Sequence, residues 1–178
     1  MITVISGTNR PESRTRLFAD HFVAQLRELG AEVRLLDLAE VTHGYVHAGM
    51  YDGSPGHDDL LTLYTDYVAP SDRFAVFVPE YNGSYPGVLK LFLDGISVIN
   101  YAGSFGGKRV ALTGLASGRA GNLRGTDHLA DVFAHMGAWV LPNRLPISSI
   151  EALLTADELT DAETKNALRT QAEQLIAA

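Results

Sequence analysis

Residues 74–79 read FAVFVP, a run without a single polar side chain. A strand with one wet face alternates apolar and polar residues. A strand that is apolar throughout is expected where helices cover both faces of a parallel sheet. Two more runs, mostly apolar and β-branched, lie either side of it in sequence, Ile2–Ser6 before it and Val110–Leu115 after it. Glu32–Leu36 and Ala138–Leu141 read as two further strands. Between these runs apolar residues recur at helical spacing. Phe18, Phe22, Leu26 and Leu29 mark one helix, stopped by Gly30. Leu60, Leu63, Tyr64, Tyr67 and Val68 mark a second. Pro86 suits a first helical turn, and Leu89, Phe92, Leu93 and Ile96 continue that helix. Leu129, Val132, Phe133 and Met136 give a fourth. Thr160 with Glu163 forms a capping-box pattern ahead of Leu168, Ala172, Leu175 and Ile176.

Strand and helix thus alternate about five times. The expected fold is α/β, a doubly wound five-stranded parallel sheet in the order 2-1-3-4-5, with helices on both faces. Residues 1–178 read as one domain, with no linker, repeat or low-complexity segment. The one irregular stretch, Thr42–Asp58, is rich in Gly and His.

Composition narrows the function. Hydrophobic residues make up 46% of the 178 positions, enough for a packed core. Fourteen basic against 21 acidic residues give a net charge of -7, which argues against a nucleic-acid partner. There is no cysteine, so disulfides, thiolate metal sites and thiol catalysis are excluded. No signal peptide is read at the N-terminus, and no apolar stretch approaches the ~20 residues of a membrane span. A cytoplasmic protein without a membrane partner is expected.

In sheets of this kind ligands bind beyond the carboxyl ends of the strands, at the switch point between strands 1 and 3. After strand 1 comes SGTNRPESRTR, residues 6–16. It combines a glycine, hydroxyls on Thr8, Ser13 and Thr15, and three arginines, Arg10, Arg14 and Arg16, ahead of a helix N-terminus. Helix N-termini offer unpaired N–H groups and a positive dipole end, so this turn suits a phosphate monoester. A capped helix with solvated arginines would leave the same pattern. The turn lacks both the Walker A and the G-x-G-x-x-G fingerprints, and Gly106-Gly107-Lys108 precedes a strand rather than following one. After strand 3 comes PEYNGSYPG, residues 79–87, a rigid turn whose backbone amides and Tyr81 suit the edge and face of a planar heteroaromatic ring. After strand 4 comes ASGRAGNLRG, residues 116–125. One anion site and two Gly-rich loops around one crevice point to a mononucleotide with a planar ring. His43, His47 and His57 with Asp52, Asp58 and Asp59 read as a polar surface loop rather than a metal site. No serine triad is placed, and no catalytic side chain is assigned.

The sequence resembles the NAD(P)H-dependent FMN reductases of flavodoxin-like fold, a family that includes quinone, chromate and azo-dye reductases. SGTNRPES, PEYNGSYPGVLKLFLD and SGRAGN carry the resemblance. It implies FMN as cofactor and NADPH or NADH as co-substrate. It puts Thr8, Arg10, Ser13 and Thr15 on phosphate-binding positions, with Arg14 assisting through its backbone and Arg16 a solvated helix residue. It puts Pro79, Glu80, Tyr81, Asn82 and Gly83 on the loop edging the isoalloxazine, and Ser117, Gly118, Arg119 and Gly121 on the third flavin-contacting loop. It implies hydride transfer to FMN and onward to a quinone, azo compound, metal oxyanion or free flavin. It also implies a homodimer or homotetramer, with the helix carrying Lys90 and Asp94 at the interface. A non-enzymatic FMN electron carrier of the same fold is the alternative. Two departures stand out. The family often has Trp after Asp94, where this chain has Gly95, and its glycine run is broken here by Ala120 and Asn122.

Overall fold

A computed structural model describes residues 1–45, 47–51 and 57–178. Val46 and residues 52–56, part of the Thr42–Asp58 segment, lie outside the described residues, and Asp52 with them.

The chain order is β1 Ile2–Ser6, α1 Arg14–Glu28, β2 Val33–Asp37, α2 His57–Leu63, β3 Arg73–Pro79, α3 Gly87–Phe105, β4 Arg109–Leu115, α4 Leu123–His135, β5 Trp139–Val140, β6 Leu145–Ile147, β7 Leu154–Thr155, β8 Glu158–Leu159 and α5 Ala162–Ala177. A π-helical turn, Tyr64–Val68, prolongs α2. The main sheet runs β2-β1-β3-β4-β5, every pair parallel, with Ile2 opposite Val33 and Arg73, and Arg73 opposite Arg109.

The apolar run in β3 is buried on both sides, as its composition requires. Phe74, Val76 and Val78 join Phe92 and Ile96 of α3 and Phe133 of α4 in one cluster. Ala75 and Phe77 join Phe18, Phe22 and Leu26 of α1 and Leu168 and Leu175 of α5 in the other. Phe22 meets Phe77 edge-on, with centroids 5.3 Å apart. Each such side chain contributes roughly 1.5–3 kcal/mol by leaving water.

Three expectations need correction. The fifth strand is not a continuous 138–141 run. β5 holds only Trp139 and Val140, and Leu141 makes the last ladder bond, its N–H donating to the Val110 carbonyl at 2.8 Å. Pro142 then has no N–H to give. The chain leaves the sheet and returns as β6 beside Thr113–Leu115, making a sixth strand. Pro86 is the N-cap of α3 rather than a residue of its first turn. The cap of α5 is Asp161, whose carboxylate accepts from the Thr164 N–H at 2.8 Å. Thr160 is drawn away by the β7–β8 hairpin, its hydroxyl donating to the Leu153 carbonyl.

The hydrogen bonds from Thr164 hold the Asp161 carboxyl below its ordinary value. A depressed folded pKa stabilises the native state above the unfolded value and loses that contribution as pH falls. Between about pH 4 and pH 2 the melting midpoint of Asp161→Asn is therefore expected to drop less than that of the wild type. Parallel acid limbs in the two melting profiles would contradict the assignment.

α3 is 19 residues long with mean hydropathy 1.2, so by length and composition alone it passes for a membrane span, contrary to the sequence reading. Leu89, Phe92, Leu93, Ile96 and Phe105 bury one face in the core. Lys90 and Asp94 pair on the helix at 2.6 Å. Gly95 faces Tyr45, which is fully buried. A Cβ on Gly95 would stand 2.7 Å from Leu60 Cδ2 and 3.1 Å from Tyr45 Cε2. A side chain at Gly95, such as the tryptophan the resemblance leads one to expect, would press on Leu60 and Tyr45.

Candidate cofactor site

A cavity of 840 Å³ lies where β1, β3 and β4 end. That volume falls in the usual range for small-molecule sites, roughly 300–1,000 Å³. Thr8, Arg10, Ser13, Arg14, Thr15, Pro79, Glu80, Tyr81 and Ser117 line it. The structure thus brings together nine of the residues singled out in the sequence, from three loops far apart in the chain. Asn82, Gly83, Gly118, Arg119 and Gly121 lie outside this lining.

The phosphate-type turn is built by two local constraints. Gly7 donates its N–H to the Phe77 carbonyl at 2.9 Å, and a Cβ on Gly7 would stand 2.9 Å from that same oxygen. Glycine is needed for this close approach of β1 to β3, not for a special turn conformation. Ser13 then caps α1, its Oγ accepting from the Arg16 N–H at 3.3 Å. The Ser13 hydroxyl proton stays available to a ligand, as do the first N–H groups of the helix. Arg10 is exposed and, among the described residues, has no carboxylate partner. In a chain of net charge -7, a cation left unpaired at a helix N-terminus is poised for an anion.

Arg16 is not the solvated residue expected from the sequence. It lines the cavity and reaches Asp20 at 3.0 Å, Asp37 at 2.9 Å and Glu40 at 3.1 Å. Burial works against its charge, but the bonds to Asp37 and Asp20 outweigh this and raise its pKa above the ordinary arginine value. Asp37, the last residue of β2, is nearly buried, so the arrangement ties α1 to the sheet edge.

The loop after β3 is a two-residue hairpin turn. Tyr81 and Ser84 exchange both backbone bonds, at 2.9 and 3.1 Å. Asn82 and Gly83 take φ of 52° and 79° at the tip, which is the Asn-Gly pattern of a type I′ turn. The amides of Tyr81 and Ser84 are therefore used within the turn, and among the described residues those of Asn82 and Gly83 have no backbone partner. The Tyr81 hydroxyl lies 2.7 Å from Thr8 Oγ1, joining this loop directly to the phosphate-type turn. From the other side α4 braces the loop: His128 Nδ1 is 3.1 Å from Ser84 Oγ, and Arg124 lies beside Gly83.

The loop after β4 is pinned at both ends. Asn122, at φ 57° and buried, donates from its side chain to the Val78 carbonyl at 3.0 Å. The Ser149 N–H donates to the Gly118 carbonyl at 3.1 Å, and Gly121 packs on the backbone of Pro146 and Ile147. Asn122 thus ties this loop to the end of β3. Arg119 is exposed.

Sequence reading missed Ile150, Glu151 and Asp157, which line the same cavity. They arrive through β6 and the β7–β8 hairpin, neither of which left a periodic signal. His43, weighed as a ligand, has Nε2 2.9 Å from the Leu38 carbonyl oxygen and Nδ1 3.1 Å from the Tyr45 hydroxyl. Among the described residues no cluster of three or more His, Asp or Glu could hold a metal.

A 2-hydroxy-1,4-benzoquinone reductase from Burkholderia sp is 28% identical over 135 residues, covering 76% of this chain and 70% of that protein. An FMN-dependent NADPH-azoreductase from Staphylococcus haemolyticus is 30% identical over 99 residues, covering 53% of this chain and 51% of that one. Among solved structures, FerB from Paracoccus denitrificans, a flavoenzyme NAD(P)H:(acceptor) oxidoreductase, is alike in fold, with a TM-score of 0.81 over 99% of this chain and 94% of that one at 24% identity. The sequence profile of the NADPH-dependent FMN reductases matches residues 1–152, so the chain belongs to the NADPH-dependent FMN reductase family.

Proposed function

We propose that this chain is an NAD(P)H-dependent oxidoreductase that passes electrons through FMN to a quinone, an azo compound, a metal oxyanion or free flavin. The observation that carries the reading is the turn after β1, where among the described residues Arg10 has no carboxylate partner, facing one cavity with the loops after β3 and β4. When bound, FMN supplies hydride and electron transfer, and the protein supplies binding and orientation. Arg10, the Ser13 hydroxyl, Thr8, Thr15 and the first N–H groups of α1, including that of Arg14, hold the phosphate. Pro79, Glu80, Tyr81, Asn82 and Gly83 edge the ring, with Ser117, Gly118, Arg119 and Gly121 completing the wall. No side chain is assigned as general acid or base.

In this reading residues 1–178 act as one domain, in the cytoplasm, as a homodimer or homotetramer. Support for the assembly is the α3–α4 face, where Tyr101 is 51% exposed. Beside it a 470 Å³ groove runs between the two helices, lined among others by Leu93, Tyr101, Val132 and Met136.

The test is spectroscopic. Purified protein incubated with FMN is expected to retain a yellow chromophore through a sizing column, at a mass of two or four chains by light scattering. Anaerobic NADPH or NADH should bleach it promptly, and addition of a quinone should restore the colour. A retained flavin that neither nucleotide bleaches would make the chain an electron carrier instead.

A further inference from the structure

The family match ends at residue 152, yet the chain continues into a hairpin whose tip returns to the phosphate-type turn. That tip is Ala156-Asp157, with φ of 49° and 61°. At Asn82-Gly83 the same chain uses the residues this turn prefers. At 156–157 it uses neither, and Ala in particular is strained at positive φ. Asp is tolerated at positive φ, so the turn sets a carboxylate at its tip. Asp157 bonds the Arg14 guanidinium directly and lines the cavity together with Glu151.

The hairpin is a fixed wall rather than a loose flap. Leu159 is buried in the cluster shared with α1 and α5. The Thr160 N–H donates to the Leu153 carbonyl at 3.0 Å, and the Ile150 N–H donates to the Ala116 carbonyl at 3.2 Å. One side of the phosphate-type turn therefore carries donors and the unpaired Arg10, and the other carries Asp157 and Glu151. A phosphate monoester ends at this turn and needs nothing beyond it. A pyrophosphate would have to continue past Arg14, where its second phosphate would compete with Asp157 for the Arg14 guanidinium and meet Glu151.

We propose that Asp157 is a specificity-determining residue that restricts the site to a flavin mononucleotide and rejects the dinucleotide FAD; this rests on the FMN reading of the cavity. The test is fluorescence titration of the full-length protein with FMN, FAD and riboflavin. Two variants are compared with the wild type: Asp157→Asn, and the double variant Ala156→Asn/Asp157→Gly, which keeps the turn and removes the charge. The wild type is expected to prefer FMN to FAD. In both variants the ratio of FAD to FMN dissociation constants is expected to fall about tenfold, with riboflavin binding unchanged within about twofold. An unchanged ratio in both variants overturns the proposal, as does a wild type that binds FAD as tightly as FMN. A parallel gain for all three flavins means only a loosened wall and also overturns it. A wild type that binds FAD but not FMN, or no flavin at all, overturns the FMN reading itself and the proposal with it.

Discussion

Replacing Arg10 and Ser13 together by alanine is expected to weaken FMN binding about a hundredfold while changing riboflavin binding by no more than about threefold. The two ligands differ only in the phosphate, so the ratio isolates the anion site. The magnitude follows from the bonds removed. A hydrogen bond to a charged group contributes about 1.5–3 kcal/mol and a neutral one about 1 kcal/mol, and 1.4 kcal/mol is a factor of ten in affinity. Among the described residues Arg10 has no carboxylate partner to be orphaned by its removal, so its loss should not disturb the fold. Ser13 also caps α1, and its alanine variant should cost roughly 1 kcal/mol of stability. The melting midpoint of each single variant keeps that separate from binding. Equal losses for FMN and riboflavin would place the phosphate elsewhere in the cavity.

That experiment bears on a site whose outline was legible in the sequence because it follows from topology. The apolar run 74–79 demanded cover on both faces, and the strand order then placed residues 8–15, 79–81 and 117 at one crevice. The Asn82-Gly83 turn was equally open to reading, since its residue types carry the conformation. What stayed hidden depended on long-range register or on residues that do not advertise their backbone. Ala156 and Asp157 sit at positive φ without glycine or asparagine, so the hairpin that closes the cavity gave no turn signal. Arg16 looked like one more exposed helix residue. Its tie to Asp37 exists only because the end of β2 lies next to β1, with Ser6 opposite Asp37. The shift of the α5 cap from Thr160 to Asp161 has the same origin, a hydroxyl taken by a hairpin that the sequence did not reveal.

The departure at Gly95 was visible in the sequence but not its meaning, and it carries the second large expected effect. Tyr45 comes from a segment with no periodicity, yet its ring is fully buried and its hydroxyl lies 3.1 Å from His43 Nδ1. Burial pushes that hydroxyl's pKa up to about 12, so Tyr45 stays neutral and acts as a packing residue with a polar end. Tyr45→Ala is expected to lose about 3–5 kcal/mol, the usual result of emptying an aromatic site in a core. Gly95→Ala inserts a Cβ 2.7 Å from Leu60 and 3.1 Å from Tyr45. Overpacking costs about 1–3 kcal/mol, against about 1 kcal/mol gained from helix propensity, so a mild net loss is expected. Gly95→Trp cannot be accommodated beside Tyr45 and should fail to give a cooperative unfolding transition. The double variant Tyr45→Ala/Gly95→Trp should be more stable than either single change, because the indole occupies the space that the phenol leaves. Chemical denaturation is expected to show a cooperative transition restored in the double variant, with a midpoint above that of Tyr45→Ala. A Gly95→Trp protein that melts like the wild type would mean that Tyr45 does not occupy this space in solution. In that case the segment around His43 would not be the partner that replaces the family's tryptophan.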